Sequence, residues 1–167
     1  MTQTLDVGSI LNARQHIDPI FLDTPAVNHP ALDGHLGCSL VAKVETLNPI
    51  RSFKGRGTEL FVATEIRPGD VLVCASAGNF GQGLARAATK RGYPCVVFAA
   101  EHANPLKVVA MKRFGADVRL VGADFDAAKD AARAYARETG ARFVEDGAEP
   151  SIAAGAGTIA VRRRASR

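Results

Sequence analysis

From residue 71 to residue 146, short apolar runs alternate with helix-length segments, and no other feature of the chain restricts its fold so strongly. Val71-Leu-Val-Cys-Ala75, Pro94-Cys-Val-Val-Phe-Ala99, Asp117-Val-Arg-Leu-Val121 and Arg142-Phe-Val144 have the length and branching of strands. A helix from about Phe80 to Arg91 carries Phe80, Leu84 and Ala88 on one face, and Gly92 closes it. Asn104-Pro105 places a cap and then a proline at the start of the next helix. Its inward face is expected to hold Leu106, Val109, Ala110 and Phe114, with Gly115 at its end. Asp124 caps an alanine-rich helix that runs to Thr139 and stops at Gly140. Strands and helices alternating in this way imply βαβ units, so the expected class is α/β with an open parallel sheet flanked by helices.

The first third of the chain is less regular. Residues 9–22 suggest a short helix and then a loop, and the stretch with Pro25, Pro30, Gly34 and Gly37 is rich in turn residues. Ser39-Leu-Val-Ala-Lys-Val-Glu45 alternates like a strand until Asn48-Pro49 breaks it. From Lys54 to Ile66 the spacing of Leu60, Phe61, Ala63 and Ile66 fits a helix, which Pro68-Gly-Asp70 ends.

Length and charge narrow the function. The 167 residues allow one ordinary domain, or a small domain and part of another. The net charge of +4 comes from Arg162, Arg163, Arg164 and Arg167, because the other residues carry 17 basic and 17 acidic side chains. With no basic face on the domain itself, nucleic acid is not an expected partner. No apolar run approaches the ~20 residues that cross a bilayer, and Met1-Thr-Gln-Thr-Leu-Asp-Val7 lacks the pattern of a signal peptide. The expected setting is therefore cytoplasmic, with no membrane partner. Cys38, Cys74 and Cys95 form no CxxC pair, so neither a metal site nor a disulfide framework is indicated. Cys74 and Cys95 are expected to be small buried hydrophobes, and His16, His29, His35 and His102 to be structural or exposed.

Two stretches carry chemistry. In Asn48-Pro-Ile-Arg-Ser-Phe-Lys-Gly-Arg-Gly57, Lys54 stands at a strand-to-helix junction beside Phe53. Gly55 and Gly57, lacking a Cβ, are expected to let a planar ligand approach it. In Ser76-Ala-Gly-Asn-Phe-Gly-Gln-Gly83 a glycine-rich loop joins a strand to a helix. Ligands of open parallel sheets bind at such places, and unpaired N–H groups at the helix terminus favour a phosphate or carboxylate. A dinucleotide fingerprint would need GxGxxG, whereas this loop runs GxxGxG. Glu101, about twenty residues further on, sits where a ribose-binding acid would, but that reading leaves Lys54 unused. A purely structural glycine-rich turn is the plain alternative.

Taken as an ordered pair, the two stretches resemble the fold-type II pyridoxal-phosphate enzymes, and most closely the threonine/serine dehydratases. The resemblance extends from about Pro19 to Ala160, since Glu145-Asp-Gly147 and Ala154-Gly-Ala-Gly-Thr-Ile-Ala160 also fit. It implies pyridoxal 5'-phosphate as cofactor, Lys54 as the Schiff-base lysine, Phe53 packed near the cofactor ring and Asn79 on its ring oxygen. Ser76, Ala77, Gly78 and Asn79 would hold the substrate carboxylate. Lys54, freed by transimination, would remove the α-proton. Loss of the β-hydroxyl would then give an aminoacrylate, hydrolysed to a 2-oxo acid and ammonia. Pro49, Arg51 and Arg56 belong to the match without an assigned role.

The same resemblance implies an incomplete portion of the larger domain in residues 1–70 and 147–160, a small α/β domain in 71–146 and a basic tail in 161–167. The family's later glycine-rich phosphate loop, and its Ser, Thr or Cys facing the pyridine nitrogen, fall outside this sequence. The chain is therefore expected to be truncated or frame-slipped near Val161-Arg-Arg-Arg-Ala-Ser-Arg167, and to bind the cofactor weakly or be inactive by itself. Apolar surface left uncovered on the larger-domain segments would favour association, which leaves a homo-oligomer open. The rival readings are a non-catalytic α/β remnant or interaction module, nucleotide binding at the 76–83 loop, and the related chemistry of a serine racemase or threonine synthase.

Overall fold

The computed structural model describes residues 5–161. Four parallel strands form the central sheet: β3 (Leu72–Ala75), β4 (Cys95–Ala99), β5 (Asp117–Leu120) and β6 (Arg142–Phe143), in the order β5-β4-β3-β6. Three helices connect them, α5 (Asn79–Lys90), α6 (Pro105–Arg113) and α7 (Phe125–Thr139). This is the expected α/β arrangement, with strand ends trimmed by a residue or two.

Alternation along each strand feeds two cores. Leu72, Cys74, Cys95 and Val97 face the layer that contains α5 and α6, where Leu84, Ala88 and Met111 are buried. Val73, Val96 and Phe98 face the other way onto Ala128 and Ala132 of α7. Both faces are covered, which is why these strands carry nearly continuous apolar runs. Cys74 and Cys95 are buried as expected. The helix signals also hold: Asn104 caps α6 through the Leu106 N–H, Asp124 caps α7 through the Ala127 N–H, and Gly92 and Gly140 adopt left-handed φ of 78° and 74°.

The face of α6 differs from expectation. Leu106 and Val109 are 79% and 49% exposed, while Val108 and Met111 are buried. Met111 decides the register, because its Sδ fills the space beside Gly81 of α5, 2.6 Å from where a Cβ would stand.

The N-terminal part is built of short pieces: α1 (Val7–Ala13), α2 (Pro19–Leu22), β1 (Ala26–Asn28), α3 (Pro30–Leu36), β2 (Val41–Lys43) and a 3-10 turn at Glu45–Leu47. The expected loop after the first helix therefore contains a second helix, and the turn-rich stretch contains a strand and a third. β1 and β2 pair antiparallel from Ala26↔Lys43 to Asn28↔Val41. The expected strand over 39–45 keeps only three residues, since Glu45–Leu47 winds into the 3-10 turn. Several large apolar side chains here face outward, among them Val7, Leu36 and Leu47. Residues 162–167 of the basic tail lie outside the described residues.

Helix α4 (Lys54–Glu65) joins these parts. It packs between α5 and α8 (Pro150–Gly157), and every residue from Gly55 to Val62 is buried. Its glycines allow that. A Cβ on Gly55 would strike the Phe21 ring at 2.2 Å, and one on Gly57 the Ile152 carbonyl oxygen at 2.5 Å. Gly155 of α8 is pressed on α4 in return, its Cβ position 2.6 Å from the Arg56 carbonyl oxygen. On the other side Arg86 of α5 reaches Glu59 at 2.5 Å and Asp18 at 3.0 Å, and Lys90 reaches Asp18 at 2.6 Å. Burial opposes the Asp18 charge, but hydrogen bonds from Lys90, the Ile20 N–H and Arg86 outweigh it and hold its pKa down at about 2.

Three substitutions test this packing. Gly155→Ala should lower the free energy of unfolding in urea by about 1–3 kcal/mol through overpacking. Gly34→Ala, where a Cβ meets nothing within 4 Å in mid-α3, should leave it unchanged or raise it by about 0.4–1 kcal/mol. Asp18, its pKa depressed on folding, stabilises the chain above the ordinary carboxylate range, and that contribution is lost as pH falls through about 2. Asp18→Asn should cost on the order of 1 kcal/mol at pH 7, with the two unfolding curves converging in strong acid.

Candidate active site

The carboxyl ends of β3 and β6 and the first turns of α4 and α5 meet at one edge of the sheet. β3 and β6 pair in register through Leu72↔Arg142 and Val73↔Phe143. Continuing that register puts Asp146 level with Ser76, each just past the end of its strand. Asp146 Oδ2 lies 2.6 Å from Lys54 Nζ. Burial raises the Cys74 thiol well above its usual range, and the nearby Cys95 and Asp146 add to it. Asp146 is thus a common neighbour of Lys54 and of the strand that leads into the 76–83 loop. The helices agree, because Thr58 of α4 and Gly83 of α5 are in close contact one turn after Lys54 and Asn79 respectively.

Lys54 is the first residue of α4, and its side chain is 29% exposed. Its Nζ also lies 5.0 Å from the centre of the half-exposed Phe53 ring, so the ammonium sits between a carboxylate and an aromatic face. The loop before it is folded around Asn48, which is buried. The Asn48 Oδ1 accepts from the N–H groups of Ile50 and Ser52 at 3.2 Å, and its Nδ2 donates to the Ser52 carbonyl at 2.9 Å. Within that loop Arg51 takes a left-handed φ of 53°, the single positive value outside glycine among the described residues. The Asn48 hydrogen bonds hold this uncommon conformation in place.

At α5 no side chain caps the helix from the N-cap position, which is Gly78. The buried Ser76 substitutes from inside the loop, its Oγ accepting from Gly81 N–H at 2.9 Å and Gly78 N–H at 3.2 Å. Its own hydroxyl hydrogen is still available to a ligand. Ala77 is exposed, and open space surrounds the position where a Cβ would stand on Gly78. Asn79 opens the helix, with its Oδ1 accepting from Lys107 Nζ at 2.7 Å. An exposed turn with oriented N–H groups, beside a lysine, suits an anionic carbonyl compound that also has a carboxylate to be held.

The structure thus brings Lys54, Phe53, Ser76, Ala77, Gly78 and Asn79 to the same edge of the sheet. It corrects one reading of the sequence. Gly55 and Gly57 are buried against Phe21 and Ile152, so they serve helix packing and not ligand approach. Two residues without an expected role are part of the arrangement, Asp146 and Lys107. For Asp146 a signal was present, since it is among the first polar residues past the fourth strand, at the end of the sheet where ligands bind.

Comparisons with known proteins show the family. The L-threonine ammonia-lyase of Geobacter sulfurreducens is 40% identical over 126 residues, which is 74% of this chain and 31% of that protein. The structure of processed threonine deaminase isoform 2 from Solanum lycopersicum superposes with a TM-score of 0.80 at 26% identity, over 92% of this chain and 47% of that one. Maize serine racemase gives a TM-score of 0.86 at 25% identity, over 94% of this chain and 48% of that one. The chain therefore spans about a third of the first relative and about half of the two structures. The family model for pyridoxal-phosphate dependent enzymes matches residues 17–162, and the chain belongs to that family.

Proposed function

We propose that the chain is the lysine-bearing part of a threonine/serine dehydratase, which converts a hydroxy amino acid to a 2-oxo acid and ammonia. The observation that carries this is the partly exposed Lys54 amine at the head of α4, beside Asp146 and at the same edge of the sheet as the Ser76–Asn79 turn. The likeness to the Geobacter sulfurreducens ammonia-lyase favours elimination over racemisation or synthase chemistry.

The residues present fit the reactive end of pyridoxal phosphate: an accessible amine, an aromatic ring next to it and a turn of unblocked donors. When bound, the cofactor supplies an electron sink for the pair left behind by the departing α-proton. Lys54 would hold it through Nζ, and its amine would serve as the general base for that α-proton. Phe53 would pack beside the ring, and Asn79 would donate to the ring oxygen. The Ser76 hydroxyl and the backbone N–H groups of Ala77 and Asn79 would hold the substrate carboxylate over the open Gly78 position, which orients the Cα–H towards Lys54. In this reading residues 71–146 are the small domain, and 1–70 and 147–160 are parts of the larger one. A small amino acid as substrate and a charge-balanced fold suit an enzyme of the cytoplasm.

Pyridoxal phosphate added to the purified chain should produce the absorbance band of lysine-bound cofactor, and Lys54→Ala should abolish it. A wild-type chain without the band overturns cofactor use by this chain. In the cofactor-free chain, Asp146→Asn should make Lys54 react about two- to fivefold faster with an amine-acylating reagent, as loss of an ion pair of about 0.5–1 kcal/mol would allow. Mass spectrometry of the labelled peptide measures this, and an unchanged rate would show that the pair does not restrain Lys54.

A further inference from the structure

Lys107 stands outside both sequence motifs, on α6, yet its half-buried side chain reaches the candidate site. The Nζ lies 2.7 Å from Asn79 Oδ1. An ammonium has three donors and no acceptor, so the amide atom facing it has to be the oxygen. Gln82, about one turn further along α5, donates its Nε2 to the same oxygen at 3.3 Å. Both lone pairs of Oδ1 are thereby engaged, and the amide is held with its NH2 turned away from Lys107. The support behind it is firm, because α6 is seated on α5 through Met111 at Gly81.

We propose that Lys107 is a positioning residue, which locks the Asn79 amide so that the loop presents a donor, and not an acceptor, to an oxyanion of the bound ligand. The inference rests on the pyridoxal-phosphate reading, in which that oxyanion is the ring oxygen. Without the lock, an asparagine amide turns over at little cost, and its carbonyl oxygen would repel the oxyanion. The ammonium adds a second effect. A positive charge hydrogen-bonded to Oδ1 polarises the amide and strengthens donation from Nδ2. Lys107 thus acts through Asn79 without touching the ligand.

The lock is tested in the cofactor-free chain by the side-chain amide resonances of Asn79 in a 15N-labelled sample. Wild type and Lys107→Arg, whose guanidinium also only donates, should show signals displaced from those of a free asparagine amide and slow to exchange with solvent. Lys107→Met should move them towards free-asparagine values and speed their exchange with solvent. Signals that ignore Lys107→Met overturn the proposal, as does an arginine variant that behaves like the methionine one.

A binding arm connects the lock to the ligand. Lys107→Met should weaken pyridoxal phosphate about tenfold, the loss of roughly one charge-supported hydrogen bond, and should shift the absorbance of the bound cofactor. Its affinity for the analogue lacking the ring hydroxyl should stay at the wild-type value. Equal losses for the two compounds would show a general charge effect and overturn the role through Asn79. A wild-type chain that binds neither compound overturns the cofactor reading, while the resonance experiment, which needs no cofactor, still decides whether Lys107 locks Asn79.

Discussion

The buried pair of Arg56 and Glu45 is the contact on which the placement of this site depends. The Arg56 guanidinium is wholly enclosed and binds both carboxylate oxygens, Nε to Oε2 at 3.0 Å and Nη2 to Oε1 at 2.7 Å. It also donates to Thr24 and Thr158, each at 3.1 Å. Burial works against the Glu45 charge, yet hydrogen bonds from Arg56 and Thr24 outweigh it and keep the carboxyl below its ordinary range. Three distant segments are tied to one residue two positions after Lys54. Removing one partner of such a pair strands the other in the interior, at a cost of about 3–5 kcal/mol. Arg56, which the sequence motif contained without a role, is therefore an anchor for α4.

An anchored α4 has consequences at the sheet edge. Gly57 and Gly155 let α4 and α8 approach until backbone meets backbone, and Gly83 lets α5 close onto the Thr58 side chain of α4. With both contacts close, α4 can neither slide nor rotate without a clash, and so Lys54 has a fixed origin. The parallel register of β3 and β6 then sets Asp146 beside it. Precision at the site is inherited from packing several residues away, as expected where functional groups sit on helix starts and strand ends.

How much of this could be read from the sequence depends on how local the cause is. The β3–β6 sheet, its capping residues and the glycine stops were legible, because each is signalled within a few residues by periodicity, Asn104-Pro105, Asp124 or Gly140. The face of α6 was misread because Leu106 and Val109 are apolar but have nothing to pack on, while the gap beside Gly81 draws in Met111. β1 and β2 are three residues each and owe their existence to pairing with one another, which no local pattern announces. At the site, Lys54 and the 76–79 turn were visible as motifs. Asp146 lay in a matching stretch without an assigned role and Lys107 in none, since strand register and helix packing bring them in from far along the chain.

Lys54 and Arg56 show how one kind of interaction serves two purposes. Each is a cation paired with a carboxylate at under 3 Å, and they lie within a single turn of the same helix. The Arg56 and Glu45 side chains are 1% and 10% exposed, whereas those of Lys54 and Asp146 are 29% and 35% exposed. Water competes for the second pair, so its strength falls to the ~0–1 kcal/mol of exposed ion pairs. Arginine is also locked by a planar, two-pronged geometry, while the lysine ammonium is a point charge on a flexible stem. A covalent role for Lys54 requires its amine to leave Asp146, and only the weaker pair can be given up at the cost of a single hydrogen bond. The fold fastens α4 at position 56 and leaves position 54 free to exchange partners.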